Sequence, residues 1–379
     1  MSLGFLMNKI ILIILILGFG IGVSQFAPDQ SDNEVFKLVK KDSFFLDIGE
    51  NLYGQFNHLH TDSADLLYFS NYRSNEIHVY SHNIDSCIKN INTPAHLGNI
   101  KNFFIGNDGK IFLKQRKYGT YNIFILNKNG ELYDSLQLEM RKFFPGPSIS
   151  NVNPVYTEDE ILYMTGYSGG VYDDEKKGGR PVIIRFNLQT NDLTYLGDYP
   201  LNYYKSNFGG LSYRKIYNTL NYNKKIIVMS FPSCPEIYWF DLEDKKMHES
   251  NSSIATLPEI PPLSKDKSWY GALAKQNYVE YYYSNPSYAE IYYDHYRNVY
   301  YRILESANDQ FNYHEKESYY KCEIVVVYDK NFKVITRKRI EERIFSHNSF
   351  ITEEGIYFQA FSKVSNPYKW YLFSLEENY

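Results

Sequence analysis

A chain of 379 residues with 17% aromatic side chains, 38 of them from tyrosine, is too rich in core-forming groups to be disordered. Its formal net charge of −4 lacks the basic excess of a nucleic-acid binder. Tyrosine fits half-buried strands, so the composition points to an all-β protein and away from a helical bundle.

The first element is apolar. Lys9 precedes an unbroken apolar run over residues 10–17, extended by residues 18–23, and the small residues Gly22 and Ser24 stand at cleavage-site spacing. Residues 1–24 therefore read as a signal peptide or, if uncleaved, as an N-terminal membrane anchor over residues 3–23 with Lys9 snorkelling to the interface. Either way the protein is expected to be exported, to the periplasm or cell surface, with membrane contact only through residues 3–23. The remaining residues, 33–379, are expected to form one domain and a monomer.

Residues 34–48 read as strand with no copy of the later pattern around them. From there a unit recurs: a strand, a polar turn, a second strand and, after a gap, a third. The clearest instance spans residues 287–305, where Ala289, Ile291 and Tyr293 alternate with Tyr288, Glu290 and Tyr292 before the turn at 294–298. Second strands start at Leu66, Ile111, Ile161, Ile226, Val299 and Ile356. Asn129-Gly130 adds a strong hairpin signal in the second unit. Repeats of this length with about four strands each predict a six-bladed β-propeller.

The last unit ends soon after its third strand, so residues 34–48 are predicted to supply its fourth and close the ring. Three segments interrupt the pattern: residues 167–181, 306–320 and the proline-containing connector 248–284. The first two fall at equivalent positions and predict loops on one face of the ring. The connector leaves open a seventh, degenerate blade. Cys87, Cys234 and Cys322 show no metal spacing and read as free thiols.

Residues 285–294 and 296–302, together with residues 207–214, Phe231-Pro232 and the strand to Asp241, resemble the domain of unknown function 4221 family of Bacteroidetes. The likeness covers nearly all of the exported part. It implies an exported, propeller-like protein with no assigned activity. Many members of that family carry a lipid-anchoring cysteine after the apolar run, which this chain lacks.

Innermost strands of a propeller line its central channel. Reading back from each turn places His58, Asn102, Asn151, Arg214, Glu290 and His347 at the channel mouth, with Asn57, Lys101, Asn153 and Asn348 beside them. Such a ring suits a small polar or anionic ligand, and Arg214 and Glu290 are placed to pair across the channel. His58 and His60 share a strand face, but no third ligand completes a metal site, and no metal or cofactor is expected. Asp173, Asp174 and Glu175 lack calcium-loop spacing. The tyrosine-rich run over residues 278–301 reads mainly as packing between blades.

No nucleophile elbow or phosphate-binding loop is present. The expected function is thus a non-catalytic binding or scaffold protein, with an envelope protein, peptide or glycan as partner and no nucleic acid. The alternative is a glycan-directed hydrolase, which needs a carboxylate pair in the mouth. Glu290 with Asp294, or Asp62 with Asp65, supply the residue types.

Overall fold

Hairpins built from the repeat determine the architecture. The structure, a computed structural model, describes residues 35–48, 55–61, 64–71, 73–82, 84–139, 145–167, 180–208, 211–250, 260–263, 274–315, 318–361 and 368–377. The signal or anchor segment, Asp62, the acidic triplet at 173–175, Gly209-Gly210 and most of the connector lie outside these residues. Residues Val35–Tyr379 cluster as one unit. Among the described residues no helix is long and apolar enough to cross a membrane.

Six small antiparallel sheets form the ring of a β-propeller. Blade one comprises Phe56–His60, Asp65–Asn71, Glu76–Ser81 and Ile84–Asn92, from the axis outwards. Blade two comprises Phe103–Ile105, Ile111–Lys117, Thr120–Leu126 and Leu132–Glu139. Blade three has a divided innermost strand, Gly146–Pro147 and Tyr156–Glu158, both paired to Ile161–Tyr167, followed by Ile183–Asn187 and Leu193–Leu196. Blade four comprises Tyr217–Asn221, Ile226–Ser230, Ile237–Asp241 and Met247–Glu249. Blade five comprises Ser287–Asp294, Val299–Glu305, Glu323–Tyr328 and Val334–Arg339.

Blade six takes Ile344–Thr352, Gly355–Ala360 and Tyr368–Glu377 from the end of the chain and Phe36–Leu46 from its beginning. The closing ladder runs antiparallel from Phe36 opposite Glu377 to Leu46 opposite Tyr368. Residues 34–48 thus do what their isolation from the repeat predicted. A seventh blade is overturned: Met247–Glu249 completes blade four, and the end of the connector is the helix Ala274–Tyr283.

The apolar core lies between neighbouring blades, because each sheet is buried on both faces. Ile226, Val228 and Ile237 of blade four meet Tyr288, Ile291 and Tyr300 of blade five. Many tyrosines pack in such seams with the hydroxyl bonded, as Tyr300 is to Asn221 at 2.7 Å. Arg302 is wholly buried in the same seam, donating to Ser230 Oγ (2.9 Å) and to the carbonyls of Cys234 (2.7 Å) and Pro235 (2.6 Å). All three cysteines are free, and burial pushes the Cys234 thiol up to about 12. Gly130 adopts φ 88°, and a Cβ there would meet the Asn92 carbonyl oxygen at 2.4 Å, so this hairpin requires glycine where it packs on blade one.

A candidate ligand site at the channel mouth

Three innermost strands leave the regular ladder where they reach the mouth. In blade five, Ala289 and Glu290 together oppose Ile303, a bulge that re-aims the Glu290 side chain. In blade six the register jumps from Phe345 to Phe350, which throws out residues 346–349. In blade three the chain makes an excursion between Pro147 and Tyr156.

Bulged residues lose ladder partners, so their carbonyls need others. The Asn151 amide reaches across to donate to the carbonyls of Ser349 (2.9 Å) and His347 (3.3 Å). The Trp370 indole donates to the Asn348 carbonyl at 3.0 Å, and the Tyr292 hydroxyl donates to that of Ser346. All four carbonyls of the blade-six bulge are therefore held by side chains from elsewhere in the ring. In blade three, Asn153 donates to the Ile216 carbonyl at 2.6 Å and to Asn218 Oδ1 at 3.0 Å, locking the excursion to blade four.

These devices leave a cavity of about 380 Å³. Its amide wall includes Gln55, Asn102, Asn151 and Asn348; Ser148, Ser150 and Ser212 add hydroxyls, and half-buried Tyr167 offers a ring. Gln55 donates to Asn102 Oδ1 at 3.0 Å. Three basic side chains complete the lining: Lys114, Lys215 and His347. No Asp or Glu among the described residues lines it.

The basic groups are not alike. Lys114 Nζ donates to the Pro147 carbonyl at 3.0 Å, and burial, with help from Arg116, lowers its ammonium to about 8. Lys215 Nζ lies 2.8 Å from His347 Nε2, and His347 Nδ1 lies 2.7 Å from Glu290 Oε1. That last contact is a close imidazole–carboxylate pair, and the Glu290 carboxylate is fully buried. Burial alone would raise the Glu290 carboxyl; His347 and Lys215 outweigh it and pull the group down to about 2. Burial lowers Lys215, against the pull of Glu290.

Of the six residues placed here from the sequence, Asn102, Asn151 and His347 line the cavity, and Glu290 stands behind His347 with no exposure. Arg214 does not join them. It ends the short helix Leu211–Arg214 and lines a separate recess with Arg180, Tyr199 and Tyr203. Glu290 is paired by His347, not by Arg214. The helix shifts the register by one residue, so the base at the mouth is the next one, Lys215. His58 also lies elsewhere, beyond the cavity along its strand, where its Nε2 meets Asp65 Oδ1 at 2.9 Å.

At the other end of the channel blades one and five are bridged. Asp65 Oδ1 also meets His60 Nδ1 at 3.0 Å, and the Tyr296 hydroxyl of blade five meets the same nitrogen at 2.8 Å. Burial lowers the His58 imidazole despite its bond to Asp65. Asp294 is taken by Arg297 at 2.9 Å.

Lys114 was missed because it sits on a second strand, where the reading of first strands did not look. Two further clusters went unnoticed. Glu305 accepts from Ser287 (2.5 Å) and Tyr282 (2.6 Å) near Lys321, and burial, with Glu290 and Glu305 nearby, raises the Glu323 carboxyl well above the usual range. Asp241, Asp244 and His248 bring possible ligand atoms within 4.8 Å, but Asp241 Oδ1 already caps the amides of Glu243 (2.7 Å) and Asp244 (3.1 Å) in a turn.

Fold and site together define a six-bladed propeller with a basic, amide-lined pocket at one end of its axis. Residues 31–338 match the family described as Domain of unknown function (DUF4221), and the chain belongs to that family. The crystal structure of a family member from Bacteroides vulgatus superposes with a TM-score of 0.71 at 18% identity, covering 91% of this chain and 99% of that one. A Bacteroides fragilis protein thought to be exported superposes with a TM-score of 0.51 at 12% identity, covering 93% and 98%. At these identities the likeness concerns the fold. No curated protein matches the sequence.

Proposed function

We propose that this chain is an exported binding protein that holds a small polar ligand in the mouth cavity and performs no chemistry on it. The observation that carries the reading is a lining of amides, hydroxyls and bases without a carboxylate among the described residues. Glycoside hydrolysis needs two carboxyl groups facing the scissile bond, about 5–10 Å apart. The nearest acid, Glu290, is sealed behind His347, and Asp65 and Asp294 are engaged at the far end. Export rests on the apolar run of residues 10–23 and agrees with the description of the Bacteroides fragilis neighbour.

The test is a thermal-shift survey of the full chain, in mild detergent, against neutral sugars, acidic sugars, amino acids and short peptides. A ligand at a hundred times its Kd stabilises the fold by about 2.7 kcal/mol, which is readily seen. Stabilisation by one class without its conversion supports the reading. Hydrolysis of the stabilising compound, or no stabilisation by any, overturns it.

A further inference from the structure

We propose that the mouth cavity takes a small hydroxylated carboxylate, an acidic sugar in chemical class, and that Lys215, His347 and Glu290 couple its binding to the uptake of about one proton. The proposal rests on the binding function above and specifies its ligand.

Charge is the first argument. Three bases line the cavity and no acid does among the described residues, so an anion is the complementary guest. The bases are lysines and a histidine, compact charges that suit one carboxylate without the planar fork arginine would bring. The amides of Gln55 and Asn102, the serine hydroxyls and the Tyr167 ring offer what a polyol needs: paired donors and acceptors and a flat face. A cavity of about 380 Å³ is in the range that holds such molecules.

Proton coupling follows from geometry. A nitrogen-to-nitrogen contact of 2.8 Å needs one N–H and one lone pair. Either Lys215 is an ammonium donating to neutral His347, or His347 is an imidazolium donating to a neutral Lys215 amine. Both states put one positive charge on the pair, and buried Glu290, 2.7 Å from His347, balances it. An incoming carboxylate that takes Lys215 as its partner frees the His347 lone pair. The second negative charge then favours a second proton, drawn from solvent, on the pair.

Two further acids lie near the pair. Glu305 is bonded by Ser287 and Tyr282 and faces Lys321; Glu323, deep in blade five, keeps one oxygen without a partner, and burial beside Glu290 and Glu305 raises its carboxyl well above the usual range. Tyr217 packs edge-on to His347 beneath Lys215, and the Tyr292 hydroxyl is spent on the Ser346 carbonyl. Across the cavity, Lys114 rests on a backbone carbonyl.

The experiment is titration calorimetry of the full chain with galacturonate at pH 7, in two buffers of different ionisation heat. The ligand's own carboxyl titrates at about 3.5 and contributes no proton at that pH. The expected result is an apparent enthalpy that differs between buffers as uptake of about one proton requires. Lys215→Met and, separately, Lys114→Met should each weaken binding by roughly ten- to a hundred-fold. His347→Gln removes one of the three lining bases, so it should weaken binding and abolish the buffer dependence of the binding that remains. Equal heats in both buffers would overturn the coupling. Galactose binding as tightly as galacturonate, or inorganic phosphate binding more tightly, would overturn the carboxylate assignment while the binding function stands. If none of the three binds, the carboxylate assignment falls, and the binding function falls with it only if the thermal-shift survey also finds no stabilising class.

Discussion

The two ends of the channel are built from the same strands and do opposite things with their polar side chains. At the far end His58, His60, Asp65 and Tyr296 bond to one another and bridge blades one and five. At the mouth the bulges are held by Trp370 and Tyr292 and, from the cavity wall, by Asn151. A regular strand points its side chains at its neighbours across a narrow axis, where they satisfy each other. A broken strand opens a cavity, and polar groups that bond to one another or to the bulges also face the space where a guest could sit. The lesson is that irregular backbone, more than residue type, separates a site from a seal.

The largest expected effect tests how the mouth is held. Trp370 is fully buried against Phe56 and Phe350 and bonds the bulge through its indole N–H. Trp370→Ala should cost about 3–5 kcal/mol in urea unfolding. Trp370→Phe keeps much of the packing but orphans the Asn348 carbonyl, and should cost less than the alanine change while still weakening binding at the mouth. If the phenylalanine variant binds like the parent, the bulge does not depend on the indole.

The next effect compares the two acids by pH. The folded Glu290 carboxyl lies at about 2, below its ordinary value of 4.5. As acid is added the unfolded chain therefore takes the proton first. The stability from this carboxylate is complete above about pH 4.5 and is lost as pH falls towards 2, on the order of 3 kcal/mol in all. Asp65 is also lowered, since its bonds to His58 and His60 outweigh burial, so its share is lost in the same direction. Asp65 keeps some solvent contact, and its share should be the smaller. Glu290→Gln should flatten the acid limb of a stability–pH curve more than Asp65→Asn does; the reverse order would mean the mouth is the more solvated end.

These two tests also show how far the sequence could be read. The blades were legible because their strands alternate and their turns recur, and the closing strand was legible because residues 34–48 had no unit of their own. The bulges were not. Ala289 and Glu290 read as an ordinary alternating pair, and nothing in residues 344–352 announces a jump in register. Side chains were therefore assigned to the channel by counting along ideal strands. The structure brings Asn102, Asn151 and His347 to the cavity lining. Arg214 ends a single helical turn and lies in a separate recess, with Lys215 in the lining, and His58 lies beyond the cavity along its strand. Lys114 reaches the mouth from a second strand, a route that only the depth of the cavity reveals.

A smaller effect of opposite sign is expected at Lys114. Its folded ammonium is lowered to about 8, whereas the unfolded chain holds the proton up to about 10.5. Below pH 8 the buried charge costs stability in full; between pH 8 and 10.5 the cost fades, and above that it is gone. Lys114→Met should therefore stabilise the protein at pH 7 by about 1–2 kcal/mol, with the gain shrinking in alkali. A destabilised variant at pH 7 would mean the aliphatic stem packs for more than the charge costs. A gain in stability at a residue needed for binding is the mark of a site kept under strain for its ligand, and no such gain is expected at the far end.

The smallest effect probes the seal. The Tyr296 hydroxyl meets His60 at 2.8 Å near solvent, so its loss leaves two groups that water can reach. Tyr296→Phe should cost no more than about 1 kcal/mol in urea unfolding. Its value lies in what it leaves alone: with the aromatic ring in place beside His60 and His295, the packing at this end is kept and the mouth ligand should bind as it does to the parent. If this one hydroxyl changes affinity at the mouth, the two ends are not separate devices. Coupling along the innermost strands, from Asp294 back to Glu290 on blade five, would then have to carry the difference.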